Sequence, residues 1–510
     1  MKFELPNAEN LKEMADELGF PMDDGYAADV LTFMAPFEGA FNAVDDMPDV
    51  LPEVKYPRGD WHRPEGAENK HGAWYVKVTI KGEDEGGRLE GKTVAIKDTA
   101  CIAGVPMMNG ASVLEGYIPD IDATVVTRVL DEGGEILGKS VCEYFSLSGG
   151  SATSASSIVE SPRNPGHTPG GSSTGSAALV AAGEVDMALG GDQAGSIRIP
   201  ASYTGVVGMK PTFGLVPYTG IMGIETTIDH TGPITANVPD NALFLEAIAG
   251  EDGLDSRQRV PRVDSYTHAL DMNVDGLRIA VVQEGFGREE SQPDVDDIVR
   301  QAAKHLQSQG AEVAEVSIPM HLGGLAIWGA IAAAGMYHTM FRGRGFGQNT
   351  FGVYPTSLVD AMAEAGKRAG EFPPTFRFGL MLGLWADKAY GGHFYAKAQN
   401  QRRALTAAYD QVLDGYDALL MPTTAMKTSR IPPADAGFLD VMQHCWEMIG
   451  NTAPFNVSGH PSISVPCGLG EGERPVGLML TAKHFDEMML YRVAHAFELT
   501  GDWQNVGATG

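Results

Sequence analysis

Two glycine- and serine-rich blocks dominate the middle of this chain. The first reads Gly170-Gly171-Ser172-Ser173-Thr174-Gly175-Ser176, and the second Gly190-Gly191-Asp192-Gln193-Ala194-Gly195-Ser196-Ile197-Arg198-Ile199-Pro200. Flexible linkers share this composition, but here each block leads into an apolar run, at 177–180 and 206–207. Glycines beside such runs shape a backbone within a packed body. Glycine also lets consecutive N–H groups converge on one point. A glycine-rich approach to a serine therefore suits N–H groups aimed at a developing oxyanion. Gly171-Ser172-Ser173-Thr174-Gly175 matches the G-x-S-x-G nucleophile elbow, which requires a strand before it. Pro162, Pro165, Gly166 and Pro169 occupy that place and argue against a strand. The glycine clusters at 343–347 and 468–470 lack the GK[ST] ending of a phosphate-binding loop and read as loops.

The flanking pattern is that of an α/β protein. KTVAIK at 92–97 reads as a buried strand, 123–131 as a helix, 135–138 as the next strand, 175–182 as a helix and YDALLMP at 416–422 as a strand entering a turn. This alternation predicts a mixed, mostly parallel central sheet covered by helices. The segment 321–406 turns helical and aromatic, an insertion suited to forming part of a pocket. At the N-terminus, Asn7 reads as a helix cap ahead of Leu11, Met14, Ala15 and Leu18, with Gly19 as the stop. A second helical stretch carries Tyr26, Val30, Phe33, Met34, Phe37 and Phe41. The proline-rich acidic segment after it reads as a linker. The expected division is therefore a helical N-terminal domain and linker over 1–64 and a catalytic domain over 65–510.

Composition narrows the partners. The formal net charge of −29 repels nucleic acid and anionic membranes. No run approaches the roughly 18 apolar residues of a membrane span, and the N-terminus lacks the apolar core of a signal peptide. The expectation is a cytoplasmic protein bound to neither nucleic acid nor membrane. Cys101, Cys142, Cys445 and Cys467 form no CxxC pair and have no histidine at zinc-ligand spacing, so they read as buried free thiols, with no metal and no cofactor expected.

The run from Pro169 to Pro211, with Lys97, Ile136-Leu137-Gly138-Lys139 and Asn456-Val457-Ser458-Gly459-His460-Pro461, resembles the amidase signature family from about residue 92 onward. Its GGDQ form, followed by Gly214-Leu215-Val216-Pro217-Tyr218, is similar to the broad-range amidases associated with nitrile hydratases. That branch carries an extra helical N-terminal domain and tends to dimerise, which implies a homodimer through the N-terminal helices. The resemblance implies a Ser-cisSer-Lys triad: Lys97 as base, Ser172 as relay behind a cis peptide, and Ser196 as nucleophile. It also implies an oxyanion hole from the N–H groups of Gln193, Ala194, Gly195 and Ser196. The family usually has glycine where Ala194 stands; alanine is unstrained there only if φ is negative.

A lysine serves as base only when neutral, so Lys97 needs burial without a carboxylate partner. Asp98 follows it directly, but strand neighbours point to opposite faces. By position relative to the family motifs, Tyr144, Leu147, Ile228, Trp328 and Ile449 would line the acyl side of the pocket; ordinary core packing would serve the same residues. Asp192 and Arg198 read as structural supports of the nucleophile loop, and His230 as a surface or loop-pinning histidine. The implied activity is cleavage of a small-molecule carboxamide to acid and ammonia or amine. The same triad could act on carbamates (urethanes), anilides or esters. A glutaminase subunit of an amidotransferase and a non-catalytic scaffold are the remaining readings; the acidic chain and extra helices disfavour the first, and the three retained triad residues the second.

Overall fold

The computed structural model describes residues 2–82, 86–348, 350–501 and 503–505. They form two compact units, Met1–Pro52 and Glu53–Gly510. In the first, helix Ala8–Leu18 begins at a capping box between Asn7 and Asn10 and ends at the left-handed Gly19. The following helix, Asp24–Asp45, is capped by Asp23. It buries only Ala27 of its own residues and leaves Phe33, Phe37, Phe41 and Val44 exposed.

The second unit is built on one eleven-stranded sheet. Its strands are β1 (Trp74–Lys81), β2 (Thr93–Lys97), β3 (Glu135–Ser140), β4 (Met187–Asp192), β5 (Val207–Lys210), β6 (His230–Thr235), β7 (Arg278–Val282), β8 (Glu312–Val316), β9 (Ala418–Pro422), β10 (Ser462–Gly470) and β11 (Arg474–Thr481). Their spatial order is β1-β3-β2-β4-β6-β5-β10-β11-β9-β7-β8. The class is the expected one, a mixed sheet with helices packed against it. Parallel pairing is confined to β3–β2–β4 and β9–β7–β8, and the middle of the sheet is antiparallel.

This topology positions the site. β2 and β4 are parallel neighbours, with Ile96 opposite Leu189. Their carboxyl ends therefore emerge on one edge, where open α/β sheets place ligands. Lys97 closes β2, and Asp192 closes β4 just before the second glycine block turns into its loop. The first glycine block enters helix Thr174–Ala181, in which Thr174 to Val180 are all buried. No strand precedes it, so the nucleophile-elbow reading is excluded by the fold.

One element departs from the sequence expectation. Helix Met320–Gly335 runs on through the π-helical turn Met336–Arg342. Together, Met320–Arg342 is 23 residues long and contains an 18-residue window with a mean hydropathy of 1.2, long and apolar enough to cross a membrane. Half of it is buried in the protein, and it carries Trp328 to the site.

Candidate active site

Lys97 has no solvent exposure. Its Nζ donates to Ser172 Oγ at 2.8 Å and lies 3.4 Å from the Gly191 carbonyl. Among the described residues no carboxylate forms an ion pair with it. Burial lowers its pKa to about 8, although the more distant Cys142, Asp192, Glu143 and Asp229 pull the other way. Asp98 is turned away as strand alternation requires. Its carboxylate lies 3.0 Å from Lys139 Nζ and accepts the N–H groups of Met108 and Asn109.

The peptide bond Gly171–Ser172 is cis. Gly171 has no room for a side chain, since a Cβ would lie 2.8 Å from the Ser148 carbonyl. The adjoining Ser173 ties the two glycine blocks together. Its N–H donates to the Ser196 carbonyl at 3.3 Å, and its hydroxyl both donates to the Gly191 carbonyl and accepts the Gly191 N–H. Ser196 is itself buried but borders a cavity.

The loop that carries Ser196 is held from beneath by Asp192, which accepts the N–H groups of Gly195 and Ile197, pairs with Arg198, and accepts from Asn456 Nδ2. Both members of the Asp192–Arg198 pair are fully buried. Burial alone would raise the Asp192 pKa, but the Arg198 charge and hydrogen bonds win and hold it well below the usual carboxylate range. This is the structural role expected for Asp192 and Arg198.

The Gly195 N–H is thereby committed to Asp192 at 2.8 Å and differs from its expected oxyanion role. The N–H groups of Gln193, Ala194 and Ser196 make no hydrogen bond among the described residues. Ala194 does not adopt a positive φ, so its Cβ is accommodated without strain. Gly195 has φ +131°, and a Cβ there would lie 2.3 Å from Thr452 Oγ1, so this position admits only glycine.

Two long-range hydrogen bonds orient the loop's peptide planes. Trp328 Nε1 donates to the Gln193 carbonyl at 2.7 Å, and Thr452 Oγ1 donates to the Ala194 carbonyl. In a trans peptide the N–H points opposite to the carbonyl. Trp328 therefore sets the direction of the Ala194 N–H, and Thr452 that of the Gly195 N–H toward Asp192. Neither bond is visible in sequence spacing, because the partners lie far apart in the chain.

Leu147, Trp328 and Ile449 line the cavity beside Ser196. Tyr144 and Ile228 do not. Tyr144 packs edge-on against Phe145 and Phe372. Ile228 is fully buried, and its carbonyl bonds His230. The lining also includes Ile199, Ile224, Ala332 and Trp446, which sequence position did not suggest, and it contains no charged side chain. The open space is about 20 Å³, room for little more than one water. His230 is not on the surface: it lies in β6 opposite Asp192, and burial keeps it neutral. Asp229 caps the N–H groups of Ile224 and Glu225, and burial raises its pKa to about 7.

Residues 64–491 match the family model described as Amidase. The chain is 45% identical over 448 residues to an enantioselective amidase of Rhodococcus rhodochrous, covering 87% of this chain and 86% of that protein. It is 39% identical over 418 residues to a glutamyl-tRNA(Gln) amidotransferase subunit of Exiguobacterium sibiricum, covering 81% of this chain and 85% of that one. Among solved structures, the native peptide amidase of Stenotrophomonas maltophilia superimposes with a TM-score of 0.66 at 29% identity, covering 81% of this chain and 83% of that one.

Proposed function

Because this chain belongs to the amidase family and is thus a hydrolase of amide C–N bonds, we propose that it cleaves small uncharged carboxamides through a seryl acyl-enzyme on Ser196. The observation that carries this reading is the 2.8 Å contact between Lys97 Nζ and Ser172 Oγ, buried and without a carboxylate to hold the lysine charged. Neutral Lys97 takes the Ser172 proton as Ser172 takes that of Ser196. Ser196 Oγ then attacks the carbonyl carbon. Charge developing on the carbonyl oxygen is met by the N–H groups of Gln193, Ala194 and Ser196, a fixed array that needs no reorganisation during the reaction. The proton returns through Ser172 to the departing nitrogen, releasing ammonia or an amine. Water repeats the sequence and frees the acid.

The apolar lining supports acyl groups without charge. Carbamates, anilides and esters present the same electrophilic carbon and are the alternative substrates. A glutaminase subunit would have to recognise the α-ammonium and α-carboxylate of glutamine; the uncharged lining disfavours that role. The exposed Phe33, Phe37, Phe41 and Val44 favour a homodimer formed through the N-terminal helices.

A panel of aliphatic amides, aryl amides, anilides, carbamates and glutamine, scored for amine or ammonia release, tests the reading. Apolar amides are expected to turn over fastest, and Ser196→Ala to abolish turnover. Wild-type rates in Ser196→Ala, or a fluorophosphonate label on another serine, would overturn it.

A further inference from the structure

Asp410, His460 and His484 converge from three separate elements, outside the lining of the cavity beside Ser196. Asp410 lies on helix His393–Leu413, His460 follows helix Ala453–Ser458, and His484 follows β11. One ligand atom from each lies within 4.8 Å of the other two. His460 Nε2 is 3.0 Å from Asp410 Oδ1, and the two imidazole rings lie 4.0 Å apart.

Ser458 holds one nitrogen of each ring. His484 Nε2 lies 3.0 Å from the Ser458 carbonyl, which can only accept, so this nitrogen carries the proton and Nδ1 carries the lone pair. His460 Nδ1 lies 3.0 Å from Ser458 Oγ, which can accept from it in turn. That tautomer is the ion-bound one: without an ion, His460 Nε2 carries the proton and donates to Asp410 Oδ1, and a bound ion takes that proton's place. Metal-ligating histidines are anchored in this way, with the second nitrogen donating to a carbonyl or hydroxyl. Asp410 is about half exposed, so an ion has an entry path and space for a water ligand.

We propose that Asp410, His460 and His484 form a binding site for a divalent transition ion of the Zn²⁺ or Co²⁺ class, completed by water. Two nitrogens and one carboxylate oxygen with an open fourth position is a set such ions accept. The neighbouring cations do not occupy the ligand atoms: Lys210 Nζ bonds the His460 carbonyl, and Lys483 faces Asp414. Binding would pin helix His393–Leu413 to Ser458, at the end of the helix whose Asn456 supports Asp192. The site is independent of the catalytic reading.

The test uses the full chain, stripped with a chelator and titrated with Co²⁺ and Zn²⁺. The expected result is one Co²⁺ per chain with visible d–d absorption and no thiolate charge-transfer band. Zn²⁺ should displace it and raise the thermal midpoint. His484→Ala and Asp410→Asn should each weaken binding at least about tenfold. Residue-resolved diethylpyrocarbonate modification of the wild type serves as a readout free of variant folding, and Zn²⁺ should protect His484. No stoichiometric Co²⁺ band, binding unchanged in both variants, or an unprotected His484 would overturn the proposal.

Discussion

Lys97 and Lys139 stand at the ends of neighbouring strands, and their surroundings are opposite. Both are fully buried, and Lys139 lies across from Ile96 in the parallel β2–β3 register. Lys139 has a carboxylate, Asp98, at 3.0 Å and donates to the Ala100 carbonyl at 2.6 Å. Among the described residues Lys97 has only a serine hydroxyl and a distant carbonyl. Strand alternation produces the difference, because Asp98 points away from the residue it follows and meets the lysine of the next strand. The pair teaches that burial alone does not make a base. A buried ammonium with a carboxylate partner is a structural ion; one without a partner is pushed toward the neutral form and can accept a proton.

The comparison can be broken most sharply at Lys97. Lys97→Met is expected to lower kcat by about 10⁴-fold or more, by analogy with loss of a member of a catalytic triad, with little change in fold by circular dichroism. A loss of less than tenfold would mean that Lys97 is no different from Lys139. The next effect falls on the other lysine. Asp98→Asn leaves Lys139 buried without its counter-ion and should cost about 3–5 kcal/mol in denaturant unfolding. The same variant should leave the acid limb of the rate profile in place, because Asp98 is not among the groups that set the Lys97 pKa.

The smallest expected effect is the pH dependence itself. The base works when deprotonated, so activity is lost as pH falls through the lysine's lowered pKa of about 8. kcat/KM should rise about tenfold from pH 7 to a plateau above pH 9. An ordinary lysine pKa at Lys97 would keep the rate climbing past pH 10, and that profile would overturn its role as the base.

Local chemistry made much of this legible. The Asn7 cap and Gly19 stop bound the first helix, and a polar or left-handed residue at a helix end acts within a few residues. KTVAIK became β2 with Lys97 at its end, and the prolines before Gly170 kept a strand from forming there. The pocket was harder to read. Leu147, Trp328 and Ile449 reached it, while Tyr144 turned into an aromatic cluster and Ile228 into the core. An apolar residue packs equally well in either place, and only the direction of its Cα–Cβ bond in the finished fold separates them.

The sequence by itself determined which groups can react. The glycines and serines of 170–196, Lys97 and its alternation with Asp98 are local facts, governed by backbone sterics and strand period. The tertiary structure decided which of those groups are available. It committed the Gly195 N–H to Asp192, and it turned the adjacent peptides with Trp328 and Thr452 from distant parts of the chain. It also left Lys97 without a counter-ion while supplying one to Lys139. Hydrogen bonds and desolvation depend on what lies within a few ångströms in space, and sequence separation carries no information about that distance.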